Sequence, residues 1–479
     1  MKLAGRLTLL VWAALLCSTV HAQSTSPNGE STQDSDALAL PEVMVTAQRR
    51  SESISKVPLS VSVLSPDSLK AAGITQTNDL AAVTPSLNIS SAFGDAQPNF
   101  TLRGIGVGNE YDANQASPVG VYVDDSYLAF STTHGMQLYD LERVEVLSGP
   151  QGTLFGRNTT GGAINIISRK PNLGDDNGFV EVGYENFNTV RTQAAGEFTM
   201  IPDELGVRVA IDYAHGDGWF QNLYPGGADS SSTDEFSGRV IGRFKPIPEL
   251  DILLRFDMSR GNPTQAGVFD IPIGRNGFNP VLNYSGAGLG PYQERINDGG
   301  NSYTLDRNAM LTVGYQLNDD LKLTAQSTFT NGASAIGQDC DGTSVDACSN
   351  LYPEEFWQTN QEVRLTYSSA NTTVQGGIYY GLDHIDSATN QRSFAFTGAG
   401  QFPHLQFVQV RDSRAIFAQV DQKFFEHWTV TGGLRYTKDK ARYEDGLAYY
   451  GTPTSSASIV PMPVTYTVGS AAGPLPTQY

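Results

Sequence analysis

Alternation of apolar and polar residues, over segments of about ten residues, dominates the chain from Gly178 onward. In residues 250–258 every even-numbered position is apolar, whereas Asp251, Arg255 and Asp257 lie on the opposite face. The same two-faced pattern recurs near residues 362–367 and 428–437. A period of two residues predicts β-strands with one apolar face. Such strands suit a transmembrane β-barrel, whose apolar face meets lipid, or a soluble β-sandwich.

The connections between the predicted strands favour the barrel. Short connections alternate with long ones, and only a tight first hairpin at Phe187 breaks the rule. Outer-membrane barrels have short periplasmic turns and long outer loops, whereas a sandwich has no reason to sort its loops in this way. The eleven predicted strands lie near residues 178–186, 188–199, 205–216, 236–245, 250–260, 303–316, 321–330, 355–368, 373–386, 410–424 and 428–443. The predicted long outer loops are 217–235, 261–302, 331–354 and 387–409.

Composition agrees with a β-rich membrane protein and excludes other classes. Hydrophobic content is 39%, too low for a helical membrane protein, and no run of 18 apolar residues follows the N-terminus. The net charge of −19 argues against a nucleic-acid partner. Six scattered histidines, with no H-E-x-x-H and no G-x-S-x-G motif, give no support for an enzyme or for a resident cofactor.

Residues 140–171 carry the most specific motif of the chain, DLERVEVLSGPQGTLFGRNTTGGAINIISRKP. They predict a strand, a glycine turn and a second strand. A phosphate-binding P-loop is excluded because it needs a Gly-Lys pair, which is absent here. The stretch resembles the end of the plug domain of TonB-dependent outer-membrane receptors, apart from Ser148, where the family often has a basic residue.

The resemblance implies an α+β plug domain followed by an antiparallel transmembrane β-barrel in a Gram-negative outer membrane. Within the plug, Ser65, Pro66 and Asp67 predict a helix start and Gly73 its end. The predicted domains are a signal peptide at 1–22, a flexible linker at 23–40, a TonB box at 41–48, the plug at 49–173 and an incomplete barrel at 174–479.

The TonB box is the segment Glu42, Val43, Met44, Val45, Thr46 and Ala47. It alternates like a strand but has no evident partner strand nearby. Such a strand is suited to β-augmentation, in which the sheet edge of a partner supplies the missing hydrogen bonds. The alternative is an ordinary first strand of the plug. The resemblance names the partner as TonB, part of the inner-membrane energy-coupling complex.

The resemblance also suggests site residues. The family places plug arginines against barrel glutamates, so Arg103 and Arg143 are expected to face Glu362 on the barrel wall. The alternative is that each arginine binds nearby backbone carbonyls. Ligand is expected to meet the outer loops of the plug, with contacts from the aromatic and polar side chains Tyr111, Tyr127, Phe130 and His134.

Two cysteines, Cys340 and Cys348, lie in one predicted outer loop. In an exported protein this spacing predicts a disulfide. Neighbouring aspartates at 339, 341 and 346 leave a metal site as the alternative, although their spacing does not match an EF-hand.

Family membership implies import of a scarce ligand, most commonly a ferric siderophore, with energy supplied through TonB and with outer-membrane lipid around the barrel. The open alternatives are a receptor for haem, vitamin B12 or an oligosaccharide, and an adhesin or phage receptor. Eleven predicted strands are about half of the roughly 22 in plugged transporters, and 444–479 have the composition of an outer loop. We therefore expect an incomplete barrel with two open edges that does not transport by itself.

Overall fold

The structure is a computed structural model that describes residues 42–108, 115–265, 278–280, 282–394, 402–425, 428–454 and 458–465. The chain divides into two units, Met1–Val43 and Met44–Tyr479, and the second contains all the elements below. The predicted signal peptide and linker lie outside the described residues. No helix in the described ranges is both long enough and apolar enough to cross a membrane.

Residues 44–168 form a small α+β domain, the plug. Its central sheet has the order β3-β8-β9-β6-β7, in which β6 and β9 are parallel and the other pairs antiparallel. Its strands are β1 Met44–Val45, β2 Glu52–Ser53, β3 Ser60–Leu64, β4 Leu87–Ser90, β5 Asn99–Leu102, β6 Val119–Val123, β7 Ser126–Leu128, β8 Leu141–Ser148 and β9 Gly162–Ser168. Its helices are α1 Pro66–Ala71 and the 3-10 turns Ile54–Lys56, Thr77–Ala82, Gly94–Ala96 and Ser131–Thr133.

The capping residues of α1 are those that the sequence predicts. The Ser65 hydroxyl accepts a hydrogen bond of 3.2 Å from the Ser68 N–H, with Pro66 and Asp67 in the first turn. Gly73, at φ +68°, ends the helix in the left-handed region. Leu69 turns into the core of the plug, where it joins an apolar cluster that includes Leu80, Phe100, Val144, Val146, Ile164 and Ile166.

The remaining strands form one antiparallel twelve-stranded sheet, the wall. Its strands are β10 Asn177–Glu185, β11 Thr189–Ile201, β12 Leu205–Gly216, β14 Thr233–Ile247, β15 Leu250–Gly261, β19 Ser302–Asn318, β20 Leu321–Asp339, β21 Cys348–Ser368, β22 Thr372–Phe394, β23 Phe402–Phe424, β24 Trp428–Thr454 and β25 Ser458–Thr465. Short strands in the long connections are β13 Gln221–Asn222, β16 Phe278–Asn279, β17 Tyr284–Ser285 and β18 Gln293–Glu294.

The wall corrects two details of the sequence prediction. A twelfth strand, Ser458–Thr465, pairs with β24 where the sequence predicts only an outer loop. The strands from β19 to β24 also run further than predicted, because hairpin pairing continues past the apolar segment that the alternation detects. In the described part of the chain, β10 and β25 are the two ends of the sheet and each pairs with a single neighbour, as an incomplete barrel requires.

The two faces of the wall differ as the alternation predicts. On β21, Gln358, Asn360 and Arg364 are buried towards the plug, whereas Val363 and Leu365 are exposed on the outer side. The short connections 202–204, 248–249, 319–320 and 369–371 all lie at one end of the wall, where β23 also ends. They mark the periplasmic end, because outer-membrane barrels have short turns there.

Gly162 provides a test of how the plug sheet packs. It starts β9 at φ +152°, and a Cβ there would lie 2.2 Å from the Leu147 carbonyl oxygen. We expect Gly162→Ala to destabilise the plug by about 2–4 kcal/mol, measured by urea unfolding of the plug followed by protease sensitivity. Gly152→Ala is the control, since a Cβ at Gly152 meets nothing within 4 Å. Equal stability of the two variants would contradict this packing.

Candidate functional site

Buried ion pairs join the plug to the wall, and the plug contributes carboxylates at several of them. Asp140, just before β8, accepts hydrogen bonds of 3.1 and 2.9 Å from Arg208 Nε on β12. Arg239 on β14 donates to the Asp140 carbonyl oxygen at 2.6 Å and lies 3.4 Å from its carboxylate. Arg208 also binds Glu197 at 2.8 Å, and its side chain is only 1% exposed. Asp140 therefore holds two wall arginines in a largely buried site.

A second group lies in the turn between β6 and β7. Asp124 pairs with Arg255 on β15, which also binds Asp257 at 2.7 Å. Asp125 lies 4.0 Å from Arg364 on β21. Burial alone would raise the pKa of Asp124, but Arg255 and Lys170 outweigh it and hold that pKa below its ordinary value. Asp124 is thus held in its charged form by the wall.

Two plug arginines form pairs of the opposite polarity. Arg50 Nη1 donates to Asp421 on β23 at 2.6 Å, and Arg157, in the turn between β8 and β9, pairs with Asp383 on β22. Arg49 lies 4.5 Å from the Phe155 ring centroid and donates to the Asp125 carbonyl at 2.6 Å within the plug, and it lines a small cavity together with Glu362 of the wall. The segment that follows the predicted TonB box is therefore anchored to both plug and wall.

Backbone groups of the plug are also bound by wall amides. Gln358 and Asn360 on β21 donate to the Tyr127 carbonyl oxygen at 2.6 and 3.0 Å. The Ala129 N–H donates to Gln358 Oε1 at 2.8 Å. Edge strand β7 of the plug sheet thereby satisfies polar groups that would otherwise be buried without partners.

The pairing predicted for Arg103, Arg143 and Glu362 is wrong. Arg143 donates to Glu145 at 2.7 Å, since residues two apart on a strand share a face, and it also pairs with the adjacent Glu142. Arg103 is exposed in a turn at φ +51°, and Glu362 binds Arg364 at 3.0 Å within the wall. The plug residues that bind wall arginines are instead carboxylates in turns next to β6 and β8, which the sequence marks only as acidic residues beside strands.

The predicted TonB box is packed against the plug. Met44 and Val45 pair with Ser53 and Glu52, so the segment has a partner strand that the sequence analysis did not find. The Thr46 N–H donates to Glu145 Oε1 at 2.7 Å, and Val45 and Ala47 are fully buried. Burial raises the pKa of Glu145, against the opposing hydrogen bond from Thr46. Glu42 and Val43 belong to the other unit and are exposed.

The predicted ligand contacts are buried rather than presented to the outside. The Tyr127 hydroxyl accepts from Asn158 at 2.6 Å, and Phe130 packs on Phe356 with ring centroids 4.9 Å apart. His134 is buried near the Leu128 carbonyl, and burial lowers its pKa to about 4. Tyr111 lies outside the described residues.

An exposed aromatic cluster does occur on the outer connections. Trp219 and Phe220, after β12, have ring centroids 4.2 Å apart, and Tyr292 lies 6.1 Å from Trp219. The parallel pair β13–β18 holds the two connections together. The sequence does not predict this cluster, because nothing local links residue 219 to residue 292.

Cys340 and Cys348 form a disulfide between β20 and β21, with Cα atoms 5.2 Å apart. The neighbouring Asp341 carboxylate accepts from the Cys348 N–H at 2.7 Å and the Ala347 N–H at 3.1 Å. Among the described residues no group of three or more His, Cys, Asp or Glu side chains could hold a metal. These bonds give the aspartate a role in shaping the turn.

The fold and this interface define a class: an outer-membrane wall of antiparallel strands with a plug bound to its inner face. Sequence comparison matches the TonB-dependent receptor plug domain at residues 53–163 and the TonB-dependent receptor-like β-barrel at residues 253–467. Together the two matches cover more than half of the chain. The chain belongs to the TonB-dependent receptor family, which consists of transport receptors and not enzymes.

Individual relatives and structures agree with the family. The chain is 33% identical to the pesticin receptor of Yersinia pestis over 463 residues, covering 95% of this chain and 62% of the relative. The ferric yersiniabactin uptake receptor of Yersinia pestis superposes with a TM-score of 0.69 at 21% identity, covering 82% of this chain and 58% of that one. The ferripyoverdine receptor of Pseudomonas aeruginosa, bound to ferripyoverdine, gives 0.59 at 15% identity, with 85% and 56% covered. The chain thus spans less than two thirds of their length.

Removing the Asp140 carboxylate tests the interface. Asp140→Asn leaves the charges of Arg208 and Arg239 buried with less compensation, so we expect the plug to lose about 3–5 kcal/mol of stability against urea. Asp67→Asn, at an exposed carboxylate of α1, is the control and should change little. Equal urea midpoints for the two variants would show that Asp140 does not hold the plug.

Because His134 is buried, we expect the stability of the plug to fall in acid. Its pKa falls from 6.5 to about 4 on folding, so its contribution to stability is present above pH 6.5 and is lost as the pH falls towards 4. We expect His134→Gln to flatten the fall in urea midpoint over that range. The exposed His215 on β12, changed to Gln, is the control. An unchanged pH profile in the His134 variant would contradict the prediction.

Proposed function

We propose that this chain is the plug and part of the barrel of a receptor that imports a ferric siderophore across the outer membrane. The receptor would draw energy from TonB, which binds the box at residues 41–48. The main support is the way in which residues 44–47 of the box pack on the plug. Residues 44–47 are a strand-forming segment held to the plug by few hydrogen bonds.

The periplasmic position of the box follows from its neighbours. Arg50, three residues after Ala47, binds Asp421, which lies three residues before the end of β23 and close to the short connection 369–371. The short connections mark the periplasmic end. A partner anchored in the inner membrane can therefore reach this segment without crossing the wall.

Few hydrogen bonds hold the box in place, although the side chains of Val45 and Ala47 are buried. Its sheet with β2 has only two residue pairs, and the Thr46–Glu145 bond is the main polar anchor. A neutral hydrogen bond contributes about 1 kcal/mol and one to a charged group about twice that. A partner sheet that offers a longer ladder would compete with these contacts.

The chemistry of the outer surface supports a planar, aromatic or metal-chelating cargo. Trp219, Phe220 and Tyr292 present aromatic faces on the outer connections. Aromatic rings stack on catecholate or heterocyclic chelators, and they also bind sugars. Two proteins similar to this chain are receptors for ferric yersiniabactin and for ferripyoverdine. This similarity supports a ferric siderophore as the cargo.

The test separates binding from transport. In a full-length receptor that carries Val45→Pro, the backbone donor needed for strand pairing is lost, so we expect uptake of a radiolabelled ferric siderophore to fall to background while binding to cells is retained. A panel of ferric chelates, tested in a receptor-deleted strain with and without the full-length gene, identifies the cargo. Val45→Ile keeps the N–H and is the control. Uptake by the proline variant at the wild-type rate would refute the box assignment.

A further inference from the structure

The outward face of the wall carries a group of basic side chains on β23 and β24. On β24 the odd-numbered residues face the plug, since Arg435 Nη1 donates to the Thr153 carbonyl oxygen at 3.5 Å. The even-numbered Lys438, Lys440 and Arg442 therefore face outward. Arg414 on β23 is paired directly with Lys438 and shares that face. We call Arg414, Lys438, Lys440 and Arg442 the basic patch; all four are exposed.

An apolar stripe lies directly below the patch. On β24 the outward residues before Lys438 are Trp428, Val430, Gly432, Leu434 and Tyr436. On the antiparallel strand β23, Ile416 and Val420 follow Arg414 in the sequence and lie beside Tyr436 and Gly432. From Trp428 to Tyr436 the strand rises by about 27 Å, close to the roughly 25 Å apolar band of outer-membrane barrels. The patch therefore begins where the hydrocarbon layer ends.

The same transition occurs on two other strands. On β15 the outward residues Leu254, Phe256 and Met258 are followed by Arg260, and Met258 pairs with Arg307 of β19. Both arginines are exposed. The short connections lie at the opposite end of these strands, so the basic side chains sit at the outer leaflet.

Two like charges face each other in the patch, and a bound anion would reduce their repulsion. Arg414 and Lys438 are directly opposite each other, and like charges in that position destabilise a sheet. Arg414 is bound to Asp412 at 2.9 Å and Arg442 lies 3.3 Å from Glu444. Lys438 and Lys440 form no ion pair with any residue in the described ranges. Asp412 lies directly opposite Lys440, but its carboxylate is bound to Arg414, so both lysine ammonium groups are available to a negatively charged group from outside.

We propose that the basic patch binds the phosphorylated headgroup of a lipid in the outer leaflet, with its acyl chains along Ile416, Leu434 and Tyr436. The occupant is a lipid because the charges continue directly from an apolar stripe of bilayer height. Its headgroup is anionic because the patch supplies two unpaired ammonium groups and a cross-strand repulsion. The proposal does not depend on which cargo the receptor imports.

Bisphosphorylated lipid A is the probe, and binding is measured on the purified full chain in detergent by native mass spectrometry. We expect the double variant Lys438→Gln/Lys440→Gln to bind this lipid about tenfold or more weakly than the wild type. Dephosphorylated lipid A should bind the wild type as weakly as bisphosphorylated lipid A binds the variant. Circular dichroism checks that the variant keeps its strand content.

The matched control is Lys322→Gln/Lys423→Gln. These lysines lie at the opposite ends of β20 and β23, are exposed, and remove the same charge. Its lipid A affinity should equal that of the wild type. An equal loss in both double variants would reduce the effect to net charge and overturn the proposal. Unchanged binding in the Lys438/Lys440 variant, or equal binding of dephosphorylated lipid A to the wild type, would also overturn it.

Discussion

The plug depends on charges that are buried at its contact with the wall. Two groups of charges are buried at this contact: Asp140 with Arg208 and Arg239, and Asp124 with Arg255. Each ion loses several kcal/mol of hydration when it leaves water. Each charge must find its partner in one geometry, so a displaced plug would leave several charges unpaired at once. Such pairs add little net stability compared with apolar packing, but they strongly disfavour wrong positions. The interface therefore specifies where the plug sits more than how tightly it folds.

The ion pairs at this interface are of two kinds, plug carboxylates with wall arginines and plug arginines with wall carboxylates, and the two kinds attach different parts of the plug. The pairs of Asp140 and Asp124 hold turns of the plug sheet, whereas Arg50 connects the N-terminal segment directly to Asp421 on the wall. The segment next to the predicted box therefore has its own attachment to the wall, separate from those of the sheet.

Much of the architecture is readable from local sequence. Ser65, Pro66 and Gly73 delimit α1 because capping depends on residues within one turn. The alternation on β15 and β21 predicts the wall because a strand's two faces meet lipid and lumen. Partner choice is different, since Arg143 lies two residues from Glu145 but far in sequence from any wall strand. Charge type alone cannot show which of several carboxylates an arginine reaches. For the same reason the sequence predicts neither the pairing of Val45 with Glu52 nor the strand at 458–465, which pairs with the last part of β24, beyond the bilayer.

The disulfide at the tip of β20 and β21 has a consequence for the whole hairpin below it. These strands have 19 and 21 residues, and a slip of one residue would turn every lumen side chain of one strand towards lipid. The hairpin has no tight turn at its outer end, only residues 340–347. Cys340 and Cys348 fix the alignment covalently at the point from which pairing runs down to Leu321 and Tyr367. A bond outside the membrane thus determines which side chains line the lumen at the periplasmic end.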